Sequence, residues 1–154
     1  MCGISGWIDW EEDLTHKGPI MEKMTETLSP RGPDATGIWL SSNAVLGHRR
    51  LVVVDPAGGG QPMLRTRGEH TYVLTYNGEL YNTPELRQEL ESRGHTFRGH
   101  SDTEVLLLSY MEWGKACVNH FNGIFAFGIW DELEQSLFLA RDRMGVKPLF
   151  YSHQ

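Results

Sequence analysis

A cysteine stands second in the chain, in Met1-Cys2-Gly3-Ile4, and it is one of only two cysteines in 154 residues. Initiator methionine is usually trimmed when the next residue is small. Trimming would leave Cys2 with a thiol and a free α-amine. An α-amine titrates at about 7.7–8.0 in its reference state, so it can act as a base near neutral pH. Nucleophile and base would then share one residue, as in N-terminal threonine nucleophiles. Gly3 would let a substrate come close to the backbone. The plainer reading is a small buried hydrophobe near a chain end.

Other stretches carry candidate chemistry of their own. Asn77-Gly78 follows an alternating apolar segment. That pattern is a strong signal for a type I′ hairpin turn. Alternatively, the Asn77 amide and the Gly78 N–H form a pair of oxyanion donors. Arg49 and Arg50 precede the apolar run Leu51-Val52-Val53-Val54. They read either as a solvated pair or as a guanidinium that grips a carboxylate through two hydrogen bonds. Arg31-Gly32-Pro33-Asp34 reads as a turn by itself. Asp102 falls in a first helical turn, where a carboxylate suits the helix dipole. Facing a pocket, it would hold an ammonium.

Several chemistries find no support. The seven histidines are scattered, none at ligand spacing on a helix, so no metal site is expected. Gly58-Gly59-Gly60 lacks the Lys-Ser/Thr of a phosphate loop, and no dinucleotide fingerprint is present. Ser5 lacks the second glycine of a nucleophile elbow. Cys117 has no electropositive neighbours in sequence and reads as structural.

The elements that must position these residues are legible in outline. Ile4–Asp9 reads as a strand, and Ile20–Leu28 as a helix with Pro19 in its first turn. The loop from Ser29 to Gly37 is followed by strand-like runs at Thr36–Leu40, Ala44–His48 and Leu51–Val54. Residues 55–62 read as loop, and Thr71–Tyr76 as a strand. A helix over Glu85–Arg93 takes Thr83 as its cap and Gly94 as its stop. Ser101-x-x-Glu104 is a capping box for a helix ending near Gly114. Gly123–Asp131 is apolar at alternate and intervening positions, the mark of a strand buried on both faces. Ser136–Asp142 is a further strand, and another starts at Pro148. Because the chain stops there, we expect a fragment of a longer protein. Short connections favour antiparallel pairing in a layered fold.

Composition narrows the classes. Apolar residues make up 40% and charged residues 22% of the sequence, as in an ordinary globular domain. A net charge of −6 argues against nucleic acid or an anionic membrane as the main partner. No run approaches the roughly 20 apolar residues of a membrane span, and no basic-then-apolar leader opens the chain. Two cysteines make no disulfide framework, which points to a reducing, cytoplasmic compartment.

In order, the chain carries "MCGI", "RGPD", "RRLVVVD", "YNGELYN", "SDTEV", "GIFAFGIWD" and "ARDRMGVKPLFY". From Cys2 to about Tyr151 it resembles the class II, N-terminal-nucleophile glutamine amidotransferase domain of the asparagine synthetase family, with "RGPD" pointing to that branch. The resemblance implies an α+β fold, a four-layer αββα sandwich of mostly antiparallel sheets. It implies that Cys2 attacks the side-chain amide of L-glutamine, with Asn77 and Gly78 stabilising the oxyanion. Arg50 would hold the substrate carboxylate. Asp102, with backbone near Gly78 and Glu79, would hold the ammonium. The backbone of Leu51, Val52, Val53 and Val54 would line the pocket, and Arg31 would support the nucleophile. No cofactor is implied for residues 1–154. ATP and Mg2+ would serve a separate synthetase domain that receives the ammonia and amidates aspartate. A homodimer is among the allowed assemblies. Two alternatives remain: a non-catalytic glutamine-binding or docking module, and an amidotransferase acting on another carboxylate.

Overall fold

Strands whose residues are apolar at successive positions must be covered on both faces, and two stacked sheets with outer helices achieve this. The computed structural model describes residues 1–52 and 57–153. The first sheet contains β1 (Gly3–Ile8), β2 (Ala35–Leu40) and β3 (Ala44–Arg50), ordered β1-β3-β2. The second contains β4 (Met63–Arg67), β5 (His70–Leu80), β6 (Gly123–Asp131) and β7 (Ser136–Arg141), ordered as numbered. Every pairing is antiparallel. Helix α1 (Gly18–Glu26) covers the first sheet; α2 (Thr83–Ser92) and α3 (Asp102–Trp113) cover the second. This is the αββα sandwich that the resemblance implied.

The central strands show the two-sided burial. Along β3, Ala44 and Leu46 enter the core between the sheets with Val73 and Trp130, whereas Val45 packs with Leu14 and Met21 under α1. Along β6, Phe125, Phe127 and Ile129 meet Leu106 and Leu107 of α3, whereas Trp130 faces the other sheet. Each such side chain contributes about 1.5–3 kcal/mol by leaving water.

Several local expectations change. β5 does not turn at Asn77-Gly78. It continues through them, pairing Asn77 with Ala126 and Gly78 with Phe125. Gly78 is required by close approach, since a Cβ there would lie 2.2 Å from the Ile124 carbonyl oxygen. β4 was not anticipated, because "MLRTR" places charged residues where a strand signal would be apolar. Its Arg65 is nevertheless buried, beside Glu104. Asn82, not Thr83, precedes α2; the Thr83 hydroxyl donates to the Leu80 carbonyl at 2.7 Å. Ser101 caps α3 by accepting from the Glu104 N–H at 3.3 Å. The Glu104 carboxylate does not complete the box. It accepts the N–H groups of Arg98 and Gly99 and the Arg65 guanidinium. Leu51 and Val52 lie outside any strand, and Val53 and Val54 lie outside the described residues. Residues 148–153 form no strand. Among the described residues no helix is long and apolar enough to cross a membrane.

Candidate active site

The start of β1, the end of β3 and the C-terminal part of β5 meet the N-terminus of α3. A cleft of about 270 Å³ opens there. Cys2, Arg50, Leu51 and Asn77 line it together with Gly78, Glu79 and Asp102. These residues span a hundred positions of sequence and were all singled out as candidate site residues.

Cys2 is fixed by the segment that follows β3. Its Sγ lies 3.4 Å from the Leu51 N–H nitrogen, which donates to it, and 3.7 Å from the Leu51 carbonyl oxygen, to which it donates. Arg31 does not line the cleft. Its Nε donates to the Cys2 carbonyl at 3.3 Å, a contact behind the Cys2 side chain. Asp34, four residues into "RGPD", accepts the Val52 N–H at 2.7 Å, while its own N–H donates to the Arg50 carbonyl. The Val52 N–H is thus engaged by Asp34, and Val52 is not among the residues that line the cleft. Gly3 departs from its expected role: the space a Cβ would fill is taken by Leu28, 2.6 Å away, so Gly3 serves packing against the end of α1.

β5 presents two kinds of group to the cleft. Side chains alternate along a strand. Thr75 reaches the first sheet, donating to the Gly47 carbonyl at 3.1 Å, so Asn77 points to that sheet too. Asn77 is 5% exposed, and among the described residues no hydrogen bond engages its side-chain amide. Backbone groups alternate as well, and those of residues 76, 78 and 80 face the edge away from β6. The Tyr76 N–H there donates to Gln61 Oε1 at 2.7 Å, and the Leu80 N–H to Asp102 Oδ2 at 3.1 Å. The Gly78 N–H between them is turned to the same edge, where β4 has ended. Asn77 and Gly78 therefore offer two donors to one end of the cleft.

Charge is divided along the cleft. Arg50, 9% exposed, supplies a cation from β3. Asp102 supplies an anion from the first turn of α3, where the helix dipole favours it. The Tyr76 hydroxyl donates to Asp102 Oδ2 at 2.8 Å. Burial, then the neighbouring Asp102 charge, raise the Tyr76 phenol well above its usual range, so it remains a donor. His48 is buried behind β5, with Nε2 3.0 Å from the Tyr76 carbonyl. A carbonyl only accepts, so Nε2 carries the proton. Burial lowers His48 to about 4, which keeps it neutral.

The structure adds residues that the sequence reading left out. Gln61, Thr103, Ile124 and Lys147 also line the cleft, as does Met1. Asp142 accepts the N–H groups of Phe125, Val146 and Lys147, which fastens the loop bearing Lys147. Burial would raise the Asp142 carboxyl, but these amide donors outweigh it and hold it below its ordinary value. Lys147 Nζ lies 2.7 Å from Met1 Sδ, beside Cys2. Among the described residues no group of three or more His, Cys, Asp or Glu converges as a metal site.

The chain is similar to known proteins of one family. A family model for a glutamine amidotransferase domain matches residues 1–154. Asparagine synthetase [glutamine-hydrolyzing] 3 of Bacillus subtilis (strain 168) is 55% identical over 154 residues, covering 100% of this chain and 25% of that protein. Asparagine synthetase B [glutamine-hydrolyzing] of Escherichia coli (strain K12) is 36% identical over 153 residues, covering 99% of this chain and 27% of that protein. The chain thus spans about a quarter of the length of these relatives. The solved structure of glutamine phosphoribosylpyrophosphate amidotransferase from B. subtilis, complexed with ADP and GMP, is similar with a TM-score of 0.56 and 27% identity. It covers 67% of this chain and 24% of that one.

Proposed function

The chain belongs to the glutamine amidotransferase domain family, and from that premise we propose that it hydrolyses L-glutamine to glutamate and ammonia through a thioester on Cys2. The observation that carries this reading is the convergence of Cys2, Arg50, Asn77, Gly78 and Asp102 on one cleft. Free glutamine bears a carboxylate and an ammonium on one carbon and a neutral amide at the other end. A site for it needs a cation and an anion close together, and a nucleophile with oxyanion donors further along.

Arg50 takes the α-carboxylate and Asp102 the α-ammonium, with backbone around Gly78 and Glu79 beside them. With Met1 removed, the Cys2 α-amine accepts the thiol proton as Sγ bonds to the amide carbon. The carbonyl oxygen becomes an oxyanion between the Asn77 amide and the Gly78 N–H. The tetrahedral adduct collapses, the C–N bond breaks, and the α-amine's proton leaves with ammonia. Water, deprotonated by the same amine, attacks the thioester carbon; the C–S bond breaks, the amine's proton returns to Sγ, and glutamate departs. Two modest barriers replace one high one.

Residues 1–154 form the glutaminase domain of a longer, cytoplasmic enzyme of asparagine synthesis. The ammonia passes to a synthetase domain that uses ATP and Mg2+ to activate aspartate. The relatives' names, glutamine-hydrolyzing asparagine synthetases, support asparagine synthesis as the use of the ammonia. Replacing Cys2 with alanine is expected to reduce glutamine-dependent ammonia release to background. Undiminished release by that variant would refute the assignment.

A further inference from the structure

Tyr76 lines the cleft, and groups from three separate segments of the chain grip it. Its N–H is taken by Gln61 Oε1 at 2.7 Å, its carbonyl by His48 Nε2 at 3.0 Å, and its hydroxyl by Asp102 Oδ2 at 2.8 Å. It is 2% exposed, so these contacts are made away from bulk water. Its hydroxyl meets Asp102 of α3, its ring lies beside Gly78, and the next two residues, Asn77 and Gly78, carry the donors.

Asp102 Oδ2 already accepts two hydrogen bonds, from the Tyr76 hydroxyl at 2.8 Å and the Leu80 N–H at 3.1 Å. Both are fixed donors, one from the core and one from the backbone. Together they fix Oδ2 and leave Oδ1 without a hydrogen bond among the described residues, on a side chain that lines the cleft.

We propose that Tyr76 is a positioning residue for recognition of the substrate's α-ammonium: its hydroxyl holds Asp102 Oδ2 so that Oδ1 is presented to the cation. This rests on the reading of the cleft as a glutamine site. Without the hydroxyl, Asp102 retains only the Leu80 amide and gains a rotational freedom that binding must remove. The donors at Asn77 and Gly78 are untouched, so the chemical step is spared. The consequence is selective. It falls on substrates that carry an α-amino group and not on those that lack one.

The test uses Tyr76→Phe, which deletes one oxygen and keeps the ring in the core. Ammonia release is followed with L-glutamine and with its des-amino analogue, the monoamide of glutaric acid, in the presence and absence of Asp102→Asn. Tyr76→Phe should raise KM for L-glutamine by about tenfold with kcat changed by less than about twofold. kcat/KM for the des-amino analogue should not change. In the Asp102→Asn background the Tyr76→Phe effect on L-glutamine should shrink to within about twofold. Equal losses on both substrates, a fall in kcat at unchanged KM, or a full Tyr76→Phe effect in the Asp102→Asn background would overturn the inference. Failure of the unaltered protein to release ammonia from L-glutamine would instead overturn the glutamine reading, and this inference with it.

Discussion

Asn77 shows how one residue changes meaning with its surroundings. In sequence, Asn77-Gly78 is the commonest of hairpin turns. In the structure both residues lie inside a strand, opposite Ala126 and Phe125. The Asn77 amide and the Gly78 N–H are then held at a strand edge and do not rotate at a loop tip. Such preorganisation is what makes an oxyanion donor effective. Replacing Asn77 with alanine should lower kcat for glutamine hydrolysis by about 10²–10³ with little change in KM. Replacing Arg50 with lysine keeps the charge but loses the two-pronged grip. KM should rise by about tenfold or more, since a hydrogen bond to a charged group contributes about 1.5–3 kcal/mol. Steady-state kinetics separates the two outcomes. Cys2 stood out by its position in the chain, whereas Arg50 and Asp102, whose local patterns admit plain structural readings, were singled out through the family resemblance. Tyr76, Gln61 and Lys147 were not, because each acts through a contact that only folding creates.

At the scale of the elements, two buried polar groups fasten the site to the scaffold. His48 on β3 bridges the sheets by donating to the Tyr76 carbonyl. Burial lowers its pKa from 6.5 to about 4. Between these values the unfolded chain binds a proton that the folded chain refuses. Stability should therefore fall as pH drops from about 6.5 toward 4, by about 3 kcal/mol from this group alone. Urea titrations at a series of pH values would show it, and His48→Gln should flatten that part of the profile. Glu104 is the second group, 1% exposed in the first turn of α3. It binds the Arg65 guanidinium of β4 and two backbone N–H groups that lead into the turn bearing Asp102. Glu104→Ala should destabilise the fold by about 3–5 kcal/mol, because it leaves the buried Arg65 without its counter-charge. Equilibrium unfolding measures this directly. The sequence identified the Ser101 cap but not this pairing, since β4 carries no strand signal of its own. The ends of elements were also hard to read. β5 outran its alternating segment because β6 continued beside it.

Across the whole molecule, the layered architecture was the most legible feature. Apolar residues at consecutive positions in β3 and β6 require cover on both faces, and short connections favour antiparallel neighbours. What sequence could not supply was the meeting place. The cleft forms where β3 and β5, from different sheets, approach the start of α3, and no local pattern encodes that junction. In the proposed mechanism its chemistry depends on the chain terminus, because the α-amine of Cys2 serves as base once Met1 is removed. Met1 lies against Lys147 at the cleft wall, so its removal also clears space beside the thiol. The most direct measurement is rapid acid quenching of the protein during turnover of L-glutamine, followed by mass analysis of the intact chain and its N-terminal peptide. The expected result is a chain without Met1 that carries a γ-glutamyl group on Cys2, formed as ammonia appears and lost as glutamate appears. Ammonia release from a chain that retains Met1, or with the glutamyl group on any residue other than Cys2, would contradict the mechanism.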